Sequence, residues 1–321
     1  MTYRLDIVSQ ALPGRDGSVI LSGGHFEELY PDSAVGVVVN LIDHTTGDLN
    51  ADGLEDAIAL LAINTGGTGT FIHLAAVIQQ AGGLTHTATL LLGDRVQVES
   101  LDIADGTLQV QMITHTPDDP LCCPTEQVTQ SYTLQEGMLV TPEQSQVLPL
   151  ADAAIQALST GDMATLASLV HPEAGMRFSP YAYVLPEHLA FSSDQLPDLL
   201  DDPTYYTWGA FDGSGEPIRM TFAEYFDRFV YSKDFAGAKQ VSLDRRLGAG
   251  NTIDNSHEFY PGAIVVEYYL PGENPDYGGL DWQSLRLVFE QQAGAYKKKA
   301  DTSFRLCSDH AVHVRSSSHS L

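Results

Sequence analysis

The sequence predicts an α+β protein of two domains: an antiparallel, β-rich domain first, then a domain in which helices come before a sheet. Three observations predict it. From about residue 55 to 140, short apolar runs of period two alternate with Gly, Asn, Asp and Pro, the pattern of strands and tight turns. A polar, proline-bearing stretch without periodicity follows at 141–149, and the chain after it changes to spacings of three and four. The 321 residues, 43% of them hydrophobic, are enough for two ordinary cores.

The first domain spans 1–140, with strands expected at 57–63, 71–78, 87–92, 96–103 and 128–134. Leu108, Val110 and Met112 alternate with Gln109 and Gln111, so one face of that strand is apolar and the other polar. Ala81-Gly82-Gly83, Asp105-Gly106 and Glu136-Gly137 are the turn signals between strands. Residues 141–149 read as a linker.

The second domain spans 150–296. It opens on helix from 150 to 170, broken near Gly161, where Asp162 can cap a second helix that carries Met163, Leu166 and Val170 on one face. A third helix has Phe222, Tyr225, Phe226, Phe229 and Val230 as its apolar stripe, with Thr221 and Glu224 spaced as a capping box. Strands follow at 263–270 and 284–290. The turn after Glu290 calls for a return strand, yet the chain supplies Lys297-Lys298-Lys299 and ends in a Ser-rich run. Residues 297–321 hold five of the sixteen basic residues, and two readings fit them: a frame-shifted or vector-derived end that replaced the last strand, or a genuine basic tail that pairs with the acidic body. The first reading leaves a sheet edge without a partner.

Charge excludes some functions. With 42 acidic and 16 basic residues the net charge is −26, which repels nucleic acid and anionic membranes and favours divalent cations. No apolar run reaches the length of a transmembrane helix. The opening Met-Thr-Tyr-Arg-Leu-Asp lacks the features of a signal peptide, so the chain is either cytoplasmic or trimmed of a leader.

The segment 47–56 carries the sharpest local signal. Asp48, Asn50 and Asp52 stand at the first, third and fifth positions of a calcium-type loop. Gly53 is at the sixth, the Leu54 carbonyl at the seventh and Asp56 at the ninth. The twelfth position is Ala59 where an EF-hand needs Glu, so coordination would be weaker or completed by water. The spacing resembles the calcium turns that precede strands in FG-GAP and integrin-type repeats. The alternative is a solvated turn whose Asp and Asn side chains bind their own backbone.

Other chemistry is thinner. The run 64–71 is glycine-rich but has no Lys and leads into a strand, so it reads as a hairpin turn and not a phosphate loop. Of three cysteines, Cys122 and Cys123 are neighbours between Pro120 and Pro124, a vicinal disulfide or a buried free pair. Zinc held with His115 is disfavoured because adjacent thiolates chelate poorly at tetrahedral angles. No hydrolase motif is visible. The second domain is dense in aromatic residues, and Trp208 and Trp282 could line a pocket with Asp212, Glu216 or His171, or they could be core.

The run 47–61, then Asn64-Thr65-Gly66-Gly67-Thr68-Gly69-Thr70-Phe71, Leu92-Gly93-Asp94-Arg95-Val96-Gln97-Val98, and the stretch from Thr114-His115 through Cys122-Cys123-Pro124-Thr125 form an ordered set of motifs. Over about the first 140 residues this set resembles the LppP/LprE-type bacterial lipoprotein domain. The resemblance implies export and a lipid-anchored precursor, hence an extracytoplasmic location, and implies no activity. The leader and anchor cysteine of such proteins are not in this chain. Residues 151–296 more loosely resemble the NTF2-like cone, on the helix pair around Ala157-Leu158-Ser159-Thr160-Gly161-Asp162 and the curved sheet expected after it. That likeness transfers no catalytic residue. The expectation is an exported, surface-associated binding or structural protein with a calcium turn. Its rivals are an enzyme using Asp212 or Glu216 as acid or base, and a carbohydrate-binding module that stacks sugars on exposed aromatic rings.

Overall fold

The computed structural model describes residues 1–12, 16–170, 175–248, 253–277, 279–291 and, as backbone, 302–310. It is an α+β chain of two compact units, Met1–Ser145 and Gln146–Leu321.

The first unit contains β1 (Thr2–Arg4), α1 (Asp6–Ala11), β2 (Ser18–Ile20), β3 (His25–Leu29), β4 (Gly36–Gly47), β5 (Asp56–Asn64), β6 (Phe71–Gln80), β7 (Gly83–Asp94), β8 (Gln97–Ala104), β9 (Thr107–Thr114), β10 (Glu126–Gln135) and β11 (Met138–Val140). Strands β3-β4-β5-β6-β7 form a five-stranded antiparallel meander, and β11-β10-β9-β8 a four-stranded sheet. Ile58, Leu60, Ile72, Leu74 and Ile78 from one face of the meander pack with Leu108, Val110, Met112 and Tyr132 of the second sheet. From the other face, Ala59, Leu61, Ile63, Ala75 and Val77 pack with Tyr3, Leu5, Val8 and Val19 of the N-terminal segment. Burial on both faces is why β5 and β6 read as continuous apolar runs, whereas β9, solvated on one side, alternates. The turns sit where the signals placed them. Asp105 and Gly106 have φ +50° and +72°, and Glu136 and Gly137 +50° and +76°, the two consecutive positive values that match the twist of a tight hairpin.

The second unit contains α2 (Pro142–Thr160, which begins before the unit boundary), α3 (Met163–Leu169), β12 (Met176–Ser179), β13 (Ala190–Phe191), β14 (Tyr206–Ala210), β15 (Pro217–Met220), α4 (Phe222–Tyr225), β16 (Gln240–Leu243), α5 (Ser256–Phe259), β17 (Ile264–Leu270), β18 (Gln283–Gln291) and β19 (Thr302–His310). The linker expected at 141–149 is corrected to helix. The Thr141 hydroxyl accepts from the Gln144 N–H at 3.2 Å, the Gln144 side chain accepts from the Thr141 N–H at 3.0 Å, and Pro142 opens the helix. That is a capping box with proline in the first turn, where its missing N–H costs nothing. The other predicted caps form: Asp162 accepts from Thr165 N–H, and Thr221 and Glu224 cap each other. Beyond Tyr225 the helix widens, with Tyr231 N–H reaching the Phe226 carbonyl at 2.8 Å.

The main sheet has the order β13-β12-β19-β18-β17-β16, antiparallel except for the β12–β19 pair. The unpaired edge that a replaced last strand would leave after Glu290 is not found at the backbone level. Thr302–His310 pairs with β18 from Gln291↔Thr302 to Gln283↔His310. The period-two placement of Phe304 and Leu306 was in the sequence, hidden among basic and serine residues. Residues 292–301 and 311–321 lie outside the described residues.

Val266, Tyr268, Leu285, Leu287 and Phe289 turn one face of this sheet toward the helices, forming the main core with Ala151, Ile155, Leu158, Leu166 and the α4 stripe. Trp208 sits inside it, with no exposed surface, stacked on Tyr225 at 4.0 Å and donating from Nε1 to the Met220 carbonyl at 3.0 Å. Among the described residues no helix is long and apolar enough to cross a membrane.

Removing the Trp208 ring leaves a cavity and takes a donor from the Met220 carbonyl, so Trp208→Ala is expected to cost about 3–5 kcal/mol. Urea unfolding monitored by circular dichroism checks this; a loss under about 1 kcal/mol would show that the core closes without the ring.

Candidate functional site

The acidic segment lies between β4 and β5, on the rim of the five-stranded sheet. Asp48 accepts the N–H of Asp52 at 3.2 Å on one carboxylate oxygen and the N–H of Gly53 at 2.9 Å on the other. Asn50 Oδ1 also accepts from Asp52 N–H, and Asp52 accepts from Leu54 N–H and from the Asn50 amide. Gly53, at φ +82°, makes the sharp turn expected of the sixth loop position. Asp56 is placed differently. It is buried, and its two oxygens accept N–H groups from Leu49 at 3.0 Å and from Gln79 of β6 at 2.9 Å. It therefore anchors the loop to the sheet, while Asp48, Asn50 and Asp52 stay in solvent or half exposed and the Leu54 side chain is exposed. Carboxylate oxygens that accept one N–H retain lone pairs for a cation. Among the described residues no group of three or more His, Cys, Asp or Glu is gathered as a metal site.

Of the proposed pocket residues that are described, the two tryptophans are buried and the two carboxylates are exposed. Trp208 belongs to the closed core, and Trp282, also buried, packs near Tyr269 with centroids 5.8 Å apart and lies under the Arg246 guanidinium. Asp212 and Glu216 are exposed on the turn between β14 and β15, and His171 lies outside the described residues. Among the described residues the exposed tyrosine rings are Tyr183, Tyr205 and Tyr277.

Two buried polar clusters were not foreseen. Ser179, at the end of β12, places its hydroxyl 2.9 Å from His188 Nδ1, which also receives the Leu185 N–H at 3.2 Å. A backbone donor aimed at Nδ1 makes that nitrogen the acceptor and assigns the ring proton to Nε2. Burial pushes the imidazole down to about 4, against the opposing pull of Glu187 and with the Arg177 charge adding to the drop. Both groups are sealed from solvent, so the pair holds a turn and offers no nucleophile to a substrate.

The second cluster is on the face of the main sheet opposite its core. Alternation puts Glu267 of β17 and Arg286 of β18 on that face, and the register pairs them directly. Arg286 Nη1 lies 2.6 Å from Asp254 and its Nε 3.7 Å from Glu267, whose other oxygen accepts the Leu247 N–H at 2.7 Å. Burial works to raise the Asp254 carboxyl, but the Arg286 charge and the Ser256 N–H and hydroxyl together outweigh it and hold the group below its ordinary value. The chain thus buries an arginine between two carboxylates, which fastens the segment before β17 to the sheet. The alternation of Arg286 between Leu285 and Leu287 was legible in the sequence; that its face would be covered was not.

The structure joins Cys122 and Cys123 as a disulfide, with both residues exposed. Compared with family models, with curated proteins and with solved structures, the chain matches none.

Two outcomes follow from these geometries. Asp56→Ala strands one buried and one part-buried N–H group and is expected to cost about 3 kcal/mol, against about 1 kcal/mol for half-exposed Asp48→Ala; equal urea midpoints for the two variants would contradict the anchoring role. For His188 the folded value lies below the unfolded one near 6.5. Its stabilisation is therefore complete above that pH and is lost as pH falls toward 4. Between pH 7 and pH 5 the unmodified protein should lose about 2 kcal/mol more than His188→Gln. Parallel pH slopes in the two proteins would place the acid sensitivity elsewhere.

Proposed function

We propose that this chain is an exported, surface-associated binding or structural module with a weak calcium site at Asp48, Asn50 and Asp52, held on the sheet by buried Asp56. The observation that carries the reading is the pairing of a loop braced by its own N–H groups with closed cores on either side of the meander. A cation has to draw the exposed oxygens closer, so binding falls in the range of extracellular calcium modules, about 10⁻⁴–10⁻³ M. The net charge of −26 favours such a cation. The resemblance of the first 140 residues to the LppP/LprE-type lipoprotein domain supports a site of action outside the cytoplasm and a lipid-anchored precursor. Helices packed on one face of a mixed sheet are compatible with the NTF2-like cone proposed for the second unit. Aromatic residues filling the helix-covered face of that sheet support a structural use over an enzymatic one, and the solvent exposure of Asp212 and Glu216 points the same way. Buried tryptophans cannot stack on a sugar, which disfavours carbohydrate binding through Trp208 or Trp282.

Calorimetric titration of the full chain with calcium is expected to show one site, raising the thermal midpoint, with both effects absent in the Asp48→Ala/Asp52→Ala protein. No heat at millimolar calcium, or binding unchanged in the double variant, would reduce the loop to a solvated acidic turn.

A further inference from the structure

The Cys122–Cys123 bond lies in the connection between β9 and β10, and it does not hold that connection together. Asp119 does. Its carboxylate accepts the N–H of Thr116 and of Thr125, each at 2.9 Å, and the Thr125 hydroxyl as well, closing the loop at its base. These donors hold the Asp119 carboxyl below its ordinary value. Cys123 N–H reaches the Pro120 carbonyl at 3.0 Å, which makes the tip a tight turn without help from the sulfurs. From outside, Arg95 donates to the Leu121 carbonyl at 2.9 Å, braced in turn by Asp94 and by the Thr68 carbonyl.

A disulfide stabilises a fold chiefly by closing a long loop in the unfolded chain, and a bridge between neighbours closes almost none. Neighbouring Cα atoms are 3.8 Å apart, below the usual span for bridged cysteines, so the bond is readily reduced. Both cysteines are open to solvent, and next to them Leu121 is 79% exposed, an apolar contact for an approaching partner. A bond that adds little stability, is easily reduced and lies between two exposed residues has the properties of chemically active disulfides and not of structural ones.

We propose that Cys122 and Cys123 form a reversible two-electron redox site on the surface of the first unit, reduced by a dithiol. A thiolate of the dithiol attacks one sulfur, forming a mixed disulfide and releasing the other cysteine as thiolate. The second thiolate of the dithiol then attacks the mixed disulfide and releases the remaining cysteine. The two cysteine thiolates take up protons, and the dithiol leaves as its own disulfide, having supplied both electrons. Oxidation by a small disulfide runs the same steps in reverse.

The test is to equilibrate the folded, full-length protein in buffers of graded reduced and oxidised glutathione, and separately of dithiothreitol. Iodoacetamide trapping and peptide mass spectrometry then distinguish Cys122 and Cys123 from Cys307. The expected result is one transition in which Cys122 and Cys123 become alkylated together, completed in the glutathione series, while circular dichroism and the thermal midpoint stay unchanged. Reoxidation should restore the starting mass. Three results would each overturn the proposal: both thiols free in the most oxidising buffer, a bond that resists dithiothreitol until the protein unfolds, or reduction that itself lowers the thermal midpoint and so marks a structural bridge. The last is checked independently by Cys122→Ser/Cys123→Ser, which should melt as the unmodified protein does.

Discussion

Covering both faces of a sheet is the constraint from which most of this structure follows. A sheet with one buried face needs apolar residues only at alternate positions, whereas a sheet covered twice must satisfy or neutralise every side chain along its central strands. In the first unit the chain does so with hydrocarbon: β5 and β6 are apolar on both sides, and the short N-terminal strands and α1 cover the side left open by the second sheet. In the second unit the core face of β17 and β18 is apolar, and the opposite face combines Val265 and Val288 with the charged pair Glu267 and Arg286.

That second solution is the more expensive one. Burying an arginine and a carboxylate forfeits hydration that their attraction only partly restores, so the arrangement is tolerable only when hydrogen bonds and a second carboxylate complete it. Asp254, oriented by Ser256, is that completion, and Glu267 uses its other oxygen to hold the Leu247 N–H. Asn255 binds both the N–H and the carbonyl of Val184, so adjacent residues of one segment meet the sheet through ion pairing and a neighbouring loop through amide hydrogen bonds. The charges give the segment one position where an apolar cover could slide.

The first unit uses several acidic and amide side chains at the ends of its strands to shape the chain. Asp48, Asn50, Asp52, Asp94 and Asp119 all serve as acceptors for backbone N–H groups in connections between strands. A strongly acidic protein thus uses part of its charge to shape turns, where solvent screens repulsion between neighbouring loops. Asp56 is the inward member of the same set, and its burial makes it the fixed point about which the acidic loop is built.

Much of this was written in local sequence. Short apolar runs between turn residues located β5 to β10, Asp-Gly and Glu-Gly pairs located hairpins, and Asp162, Thr221 and Glu224 located helix starts, because turns and caps depend on residues only a few positions apart. Where local signals were misread, the information was still present: Thr141-Pro142-Glu143-Gln144 is a helix start, and Phe304 and Leu306 alternate as a strand. Only the tertiary structure decided which faces are covered. Whether Trp208 lines a pocket or fills a core, whether Asp56 faces a cation or a backbone, and whether Arg286 meets water or Asp254 depend on segments tens of residues away. Alternation along a strand specifies that a side chain points up or down; what lies above or below is set by the path of the rest of the chain.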